Sequence, residues 1–346
     1  MTKKNQLKGG EFLIAAQDPM SVFIPEEINE EQKMFRDMTH EFLEKKVHPL
    51  RAKIDKQLEN PTLIPELMEE AAALGLLSAS LPEEYGGMNI DFNTGTILSE
   101  ELGKSQSFSV AVAAHTGIGT LPILYFGTEE QKKKYLKGLG DGSIKAAYCL
   151  TEPDSGSDAL AAKTKAVKDG DHWVLNGQKM WITNAGFADL FTVFAKVDGE
   201  HFSAFLIEAG TPGLTLGDEE VKLGIKGSST RQVFMEDVRI PLGNLLGEVG
   251  KGHKIAFNVL NIGRYKLCAM VMGGSKRTVD VAVNYANERH QFGVPIASFG
   301  AIQYKLGEMA IRTFACESAT YRVSDLINDK IVELVEGGMD KPQAKL

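Results

Sequence analysis

The sequence predicts an α+β fold in which a domain of β-strands lies between two helical domains. Apolar residues repeat at helical spacing from Asn29 to about Gly140 and again from His253 onward. Over residues 146–238 the pattern changes to short alternating runs with hairpin dipeptides. The 346 residues, 43% apolar and 24% charged, suffice for two or three domains with their own cores. The predicted domains are 1–145, 146–252 and 253–346.

The N-terminal domain is predicted to be α-helical. Met34, Phe35, Met38, Phe42 and Leu43 form one apolar stripe at helical spacing. Two further apolar segments follow, over residues 63–77 and 107–125.

The middle domain is predicted to contain two β-hairpins. The run HWVLNGQKMWIT is expected to turn at Asn176-Gly177, and FTVFAKVDGEHFSAFLI at Asp198-Gly199. Asn-Gly and Asp-Gly favour these turns because they accept the left-handed backbone of two-residue hairpin loops.

The C-terminal domain is predicted to begin with two long helices, over residues 253–289 and 299–335. Ile255, Phe257, Val259 and Leu260 belong to an apolar pattern that repeats at helical spacing.

A polar loop follows the first predicted strand of the middle domain. The strand-like run at residues 146–150 breaks into PDSGS at 153–157, whose backbone amides and hydroxyls are free to point at a ligand. A flavin ring becomes anionic along its N1/C2-carbonyl edge on reduction, so donors fixed there favour the reduced form. Thr151, Ser157 and nearby amides are suitable donors.

The second candidate segment is Trp181-Ile182-Thr183. Trp181 offers a flat apolar wall for a ring system, and Thr183 projects from the same strand face with a hydroxyl donor. The alternative is structural: a strand tryptophan is commonly a core residue, and the polar loop is commonly a solvated one. Taken alone, either segment favours that alternative.

YCLTEPDSGSD at Tyr148–Asp158, followed by NGQKMWITNA at Asn176–Ala185, resembles the paired flavin signature of the acyl-CoA dehydrogenase family. The similarity runs through nearly the whole chain. Further matching stretches, in the order expected of that family, are LPEEYGG at 81–87, GTEEQKKKYL at 127–136, LGIKGSST at 223–230, VFMEDVRIPLGNLLGEVGKG at 233–252 and ERHQFGVPIASFGAIQYKLGEMA at 288–310.

The resemblance implies two helical domains around a small β-barrel, with FAD as cofactor and a fatty acyl-CoA as substrate. A carboxylate takes the α-proton while the β-hydrogen leaves as hydride to the flavin, after hydrogen bonds to the thioester carbonyl have acidified the α-carbon. The product is a trans-2-enoyl-CoA of fatty acid β-oxidation, and electrons pass to an electron-transferring flavoprotein. Family members are homodimers or homotetramers.

The resemblance also assigns site residues. Ser157 lies between flavin and acyl-CoA in the family and is therefore expected to contact both, and Asn261 and Arg264 are expected along the acyl-CoA channel. The residues expected to bind FAD are Tyr148, Leu150, Thr151, Gly156, Ser157, Trp181, Ile182, Thr183, Arg289, Phe292 and Gln303.

Arg289 lies where the family directs an arginine to the flavin pyrophosphate. A guanidinium suits phosphate because it is permanently charged and donates two hydrogen bonds side by side. The helix dipole alone also favours an arginine at a helix end. The resemblance favours the phosphate role.

No catalytic base is identified in the sequence. Most of the family places its glutamate in an aromatic-Glu-Gly-Thr stretch, which does not occur before Leu346. A minority place it immediately before an arginine of the first C-terminal helix, and here that position is Gly263, before Arg264. We therefore expect a chain truncated before the catalytic glutamate and impaired as an enzyme. With the small Gly263 at this position, the chain resembles the very-long-chain branch of the family.

Two other functions stay open. An acyl-CoA oxidase of the same superfamily uses the same flavin site but transfers its electrons to oxygen. A non-catalytic relative that acts as an assembly or binding partner is the third possibility.

Charge and composition exclude several classes of function. A net charge of −8 and a pI near 5.5 argue against a nucleic-acid partner. The histidines and cysteines lack metal-ligand spacing, so no metal site is expected. Three scattered cysteines, no signal or transit pattern and no predicted transmembrane segment indicate a cytoplasmic bacterial enzyme.

Overall fold

The computed structural model describes residues 11, 14–16 and 22–346, which divide into two compact units. The helical unit comprises the described residues up to Glu41 together with Asp91–Lys104 and Leu267–Lys345. The sheet unit comprises Phe42–Ile90 and Ser105–Lys266.

Helices, strands and helices follow one another along the chain, which confirms the predicted fold class. The helices are α1 Glu30–Phe42, α2 Arg51–Ile54, α3 Leu63–Ala73, α4 Phe92–Gly103, α5 Ser107–Ala113, α6 Leu121–Phe126, α7 Glu129–Asp141, α8 Gly252–Glu288, α9 Gly300–Glu336 and α10 Lys341–Lys345. The strands are β1 Ala146–Cys149, β2 Lys165–Asp169, β3 His172–Thr183, β4 Leu190–Val197, β5 His201–Glu208, β6 Leu214–Glu219, β7 Thr230–Pro241, β8 Leu245–Leu246, β9 His290–Gln291 and β10 Val294–Pro295.

The two long C-terminal helices match the prediction to within a residue at each end, as α8 and α9. A short hairpin of β9 and β10 separates them. In the N-terminal region, α7 begins with a capping box. Thr128 and Gln131 each accept the other's backbone N–H through their side chains, at 3.2 and 3.0 Å.

The strands of the sheet unit pair in one sheet, in the order β6-β7-β3-β2-β4-β5-β8, with β1 added parallel to β4. The prediction described this region as a small barrel. By hydrogen bonding it is a sheet in which β1 brings the loop after Cys149 alongside the end of β3.

The predicted hairpin at Asp198-Gly199 is confirmed, since β4 and β5 pair antiparallel across it. The hairpin predicted at Asn176-Gly177 is wrong, because β3 continues through both residues with a bulge between Leu175 and Gly177. The Asn176 side chain bonds Asp237 on β7 at 3.0 and 2.9 Å, which keeps the strand paired.

Position 177 requires glycine because the Thr164 side chain lies close to it, and not because the chain turns there. A Cβ at this position would lie 2.5 Å from Thr164 Oγ1. The true turn before β3 lies at Gly170, which has a φ of +60°. Tertiary contacts therefore override the local hairpin signal of Asn-Gly.

The sheet unit contains two buried apolar clusters. In one, Tyr148 meets Phe194 edge to face at 5.0 Å, and Phe194 stacks on Phe202 at 5.5 Å. In the other, on strands that include β3 and β4, Trp173 meets Phe205 at 5.5 Å.

Two helices of the helical unit approach at backbone distance. A Cβ on Gly103 of α4 would lie 2.0 Å from the Met270 carbonyl oxygen, and one on Gly273 of α8 would lie 1.7 Å from the Glu100 carbonyl oxygen. Only glycine fits at either point. The buried side chains of Ile28, Ile97 and Tyr321 pack nearby in the same unit.

The segment Ser107–Phe126 is long and apolar enough to cross a membrane by length and composition. From the sequence it was predicted as an apolar helical segment of the N-terminal domain and not as a transmembrane one. Its most apolar window is 72% buried inside the protein, which is the pattern of a core helix.

Candidate functional site

The two predicted segments meet in the sheet unit. Thr151, just after β1, accepts a 2.9 Å hydrogen bond through its backbone carbonyl from the Met180 N–H of β3. The preceding carbonyl, of Leu150, accepts a 3.2 Å bond from Lys179 Nζ. The end of β1 and the end of β3 therefore lie side by side.

Trp181 faces outward because β3 bulges at this point. The pairing of β3 with β7 shifts register between Lys179 and Ile182, and Trp181 has a left-handed φ of +56°. The Trp181 side chain is 59% exposed, whereas Ile182 beside it is buried. Trp181 is therefore not a core residue, which removes the structural alternative for this segment.

The two segments that meet here carry three candidate hydroxyls. Thr151 and Thr183 are half-buried and Ser157 is exposed. Within the described residues none of the three side-chain hydroxyls makes a hydrogen bond. They remain available as donors to a ligand, which is what a flavin edge needs.

The polar loop is exposed at most positions, and its buried residues are Glu152 and Ser155. Gly156 and Ser157 are exposed, and a Cβ on Gly156 would meet nothing within 4 Å. Glu152 and Ser155 are buried and pair with each other through their backbones at 3.0 and 3.2 Å. The loop therefore has a fixed base and an open tip.

Sequence reasoning missed the ion pair that holds this base. Lys179 Nζ lies 2.6 Å from Glu152 Oε1, with both side chains almost fully buried. Glu152 also accepts from the N–H groups of Lys163 at 2.5 Å and Thr164 at 3.2 Å. The sequence carries no clear signal for it, because Lys179 lies in a strand that also contains Asn176 and Gln178.

The charges of the pair are set by opposing effects. Burial on its own raises the pKa of Glu152, but the Lys179 ammonium and the Thr164 and Lys163 donors outweigh it and hold that pKa below its usual range. Burial lowers the pKa of Lys179, and the Glu152 carboxylate opposes this. We take the pair as ionised, because each charge has a direct partner.

A second buried carboxylate anchors the turn that follows Thr183. Glu219 accepts from Ser229 Oγ and Arg231 Nε, both at 2.7 Å, and from the Thr230 N–H at 2.8 Å. Ser229 Oγ in turn accepts from the Gly186 N–H at 3.0 Å. The LGIKGSST stretch therefore supports the loop next to Trp181, a role that was not predicted.

Some predicted flavin residues present no side chain to a ligand. Tyr148 is buried in the core, with its hydroxyl 3.4 Å from the Ala256 carbonyl, and burial raises its pKa. Ile182 is a core residue of the sheet. Leu150 packs against the first cluster while half-buried. Only the backbone of Tyr148 and Ile182 remains for a ligand.

The predicted substrate residues lie on the part of α8 in the sheet unit. Asn261 and Arg264 are exposed and joined by a 2.6 Å bond from Nη1 to Oδ1. Between them, a Cβ on Gly263 would lie 3.5 Å from Ile118, an ordinary contact.

The remaining predicted flavin residues belong to the helical unit. Arg289 directly follows α8, and Phe292 is 93% exposed with a φ of +52°. The Phe292 ring meets Phe299 edge to face at 6.3 Å. Gln303 lies exposed in the first turn of α9. These three residues are thus in one unit and the two loops in the other.

The sheet-unit loops have the chemistry that a flavin requires. They combine an outward indole, three unbonded hydroxyls and an open glycine-containing tip on a rigid base. The residues present therefore fit an isoalloxazine ring, which needs a flat apolar surface and hydrogen-bond donors.

Three family models match the chain. The acyl-CoA dehydrogenase N-terminal domain matches residues 29–143, the middle domain matches 147–238 and the C-terminal domain matches 250–345.

Relatives of known name are similar over almost the whole chain. The probable acyl-CoA dehydrogenase of Bacillus subtilis is 50% identical over 327 residues, which is 94% of this chain. The mitochondrial short-chain specific acyl-CoA dehydrogenase of Rattus norvegicus is 39% identical over 93% of this chain and 78% of its own length.

A solved structure is similar to the same extent. The acyl-CoA dehydrogenase from Bacillus anthracis, complexed with FAD, superposes with a TM-score of 0.92 at 47% identity over 98% of this chain. The chain spans about half the length of both Bacillus proteins, 54% of the Bacillus subtilis protein and 57% of the Bacillus anthracis chain.

Proposed function

Because this chain belongs to the acyl-CoA dehydrogenase family, we propose that it carries the FAD and acyl-CoA sites of an enzyme of fatty acid β-oxidation. The proposed reaction removes two hydrogens from a fatty acyl-CoA thioester and yields its trans-2-enoyl-CoA.

The outward Trp181 is the observation that carries this proposal. A tryptophan held 59% exposed by a bulge, beside hydroxyls with no partner among the described residues, serves a bound ring better than it serves the fold. Burying an indole in the core would have contributed more to stability.

FAD, when bound, supplies the acceptor for the hydride that leaves the β-carbon. The indole of Trp181 covers one face of the ring and excludes water from it. Thr151, Thr183 and Ser157 donate hydrogen bonds to polar ring atoms. Arg289 binds the pyrophosphate, with Phe292 and Gln303 as further contacts. The backbones of Tyr148, Leu150, Gly156 and Ile182 complete the proposed set.

For the substrate, we propose that Ser157, Asn261 and Arg264 contact the acyl-CoA. The residue before Arg264 is Gly263, so no carboxylate stands at that position. We propose that the described residues bind both ligands without supplying the α-proton base. A very-long-chain-like acyl preference, drawn from the small Gly263, belongs to the same proposal.

The localisation, the assembly and the electron acceptor are also proposed. We assign a cytoplasmic bacterial enzyme that assembles as a homodimer or homotetramer and transfers its electrons to an electron-transferring flavoprotein. The domain limits 1–145, 146–252 and 253–346 are part of this proposal.

An anaerobic titration of the FAD-loaded chain with a long-chain acyl-CoA tests the function. We expect the visible flavin spectrum to shift without bleaching, since acyl-CoA binds but no base removes its α-proton. Bleaching would show that a base lies within these residues. A chain that takes up no FAD would contradict the cofactor assignment, and rapid oxygen uptake on aerobic turnover would identify an oxidase.

A further inference from the structure

We propose that Lys179 and Glu152 are a positioning pair, whose buried ionic contact holds the loop of residues 150–164 and the Trp181 bulge in register for the flavin. The inference rests on the proposed function and extends it to two residues that do not themselves touch the ligand.

The pair joins the two segments directly. Lys179 precedes Trp181 by two residues and donates to both Glu152 Oε1 at 2.6 Å and the Leu150 carbonyl at 3.2 Å. Glu152 Oε2 accepts from the Lys163 N–H at 2.5 Å. One ammonium and one carboxylate thus bind β3 to both ends of the polar loop.

The bulge makes this link necessary. Between Lys179 and Ile182 the ladder from β3 to β7 is interrupted, so β7 does not fix the backbone of Trp181. On the other side, the Met180 N–H bonds the Thr151 carbonyl at 2.9 Å. The direction of the indole is therefore set by the loop that the ion pair anchors.

Stability alone does not account for a buried ion pair. Its desolvation penalty is large, and well-packed apolar side chains of similar volume commonly give an equally stable fold. The contact has side-chain exposures of 0% and 4%, so no solvent relieves that penalty. What the charged pair adds is a fixed geometry between two backbone segments.

The same loop provides a matched control. Lys163 Nζ and Asp154 Oδ2 form a 2.7 Å ion pair with side-chain exposures of 73% and 66%. It ties residues of the same loop through the same two functional groups. Being solvated, it is expected to contribute little.

The experiment compares Lys179→Met, Glu152→Gln, the double variant Lys179→Met/Glu152→Gln and the control Asp154→Asn/Lys163→Met. Three readouts are taken on the full chain: the urea midpoint, the dissociation constant of FAD from flavin fluorescence, and amide exchange of FAD-free protein over 150–164 and 176–185. The exchange readout needs no flavin, so it tests the pair independently of the proposed function.

Each single variant is expected to lower the urea midpoint, because it leaves one buried charge unpaired. The double variant is expected to regain most of that loss, yet to bind FAD at least tenfold more weakly. Its exchange over the two segments is expected to rise at least tenfold, with β4 and β5 unchanged. The control pair is expected to match the wild type.

A double variant that is as stable as the wild type, binds FAD equally and exchanges equally would overturn the proposal. If wild-type chain takes up no FAD, the proposed function fails and the exchange result alone decides on the pair. If the double variant does not fold, Glu152→Asp decides, because it keeps the charge but shortens the reach to the Lys163 N–H. Unchanged exchange and FAD affinity in that variant would contradict positioning.

Discussion

At the scale of single residues, His115 shows how completely the sheet unit satisfies a buried polar group. Its Nδ1 accepts from the Ala146 N–H at 3.1 Å, and its Nε2 lies 2.8 Å from the Leu139 carbonyl, so the neutral ring carries its proton on Nε2. Burial lowers the pKa of His115 to about 4, against a Leu139 hydrogen bond that raises it.

The depressed pKa of His115 predicts a loss of stability in mild acid. The unfolded chain binds the proton near pH 6.5 and the folded chain only near pH 4, so stability is full above 6.5 and falls as pH drops toward 4. Between pH 7.5 and 5 the loss from this residue is about 2 kcal/mol. Urea unfolding of wild type and His115→Gln at both values measures it. Equal pH dependence in the two proteins would contradict the assignment.

The two tryptophans predict opposite effects on substitution. Trp181→Ala removes a largely exposed ring and is expected to change the free energy of unfolding by no more than about 0.5 kcal/mol, while weakening FAD binding tenfold or more. Trp173→Ala empties a core position and is expected to cost about 3–5 kcal/mol. FAD is also expected to quench the emission of Trp181. An unchanged FAD affinity in Trp181→Ala would place the flavin elsewhere.

At the scale of elements, helix contact in the helical unit depends on glycine. Gly273→Ala places a methyl group against the Glu100 carbonyl, so α4 and α8 must separate, and we expect a loss of about 3 kcal/mol or more. Gly307 on α9 is the control, since its Cβ meets nothing within 4 Å. Gly307→Ala is expected to stabilise by up to about 1 kcal/mol. Thermal unfolding of both variants tests this, and similar effects would refute the contact.

Elements with a regular repeat of apolar residues were predictable from the sequence. Elements whose structure depends on contacts with residues distant in the chain were not. α8 and α9 follow a helical apolar repeat, and Asp198-Gly199 lies at a free hairpin tip. Asn176-Gly177 carries the same local signal, but Asp237 holds it in a strand. A hydrogen-bond partner 61 residues away leaves no trace in local spacing.

The candidate site divides in the same way. The loop at Thr151–Ser157 and the outward Trp181 could be predicted from residue type and resemblance. Glu152 and Lys179 could not, because each alone resembles an ordinary charged residue and only the fold brings them to 2.6 Å.

At the scale of the whole molecule, apolar burial is unevenly distributed along the chain. Strand β4 is buried at all but one position. The described buried residues of α9 all lie at or beyond Thr320, and residues 300–319 contain exposed apolar side chains such as Ile311 and Phe314. Local opening is expected to be easiest where the fewest apolar contacts must be broken.

Native-state amide exchange should therefore separate these two elements. Backbone amides of β4 are expected to exchange only through global unfolding, and those of residues 300–319 at least a thousandfold faster, through local opening of α9. Residues 320–331 of the same helix are the internal control, because Tyr321 and Ile331 are buried there. Both segments belong to one helix, so slower amide exchange in residues 320–331 than in 300–319 isolates the effect of burial. Uniform protection along α9 would instead mean that another surface covers Ile311 and Phe314 in solution. If that surface belongs to a second copy of the chain, diluting the protein would restore fast exchange of these amides.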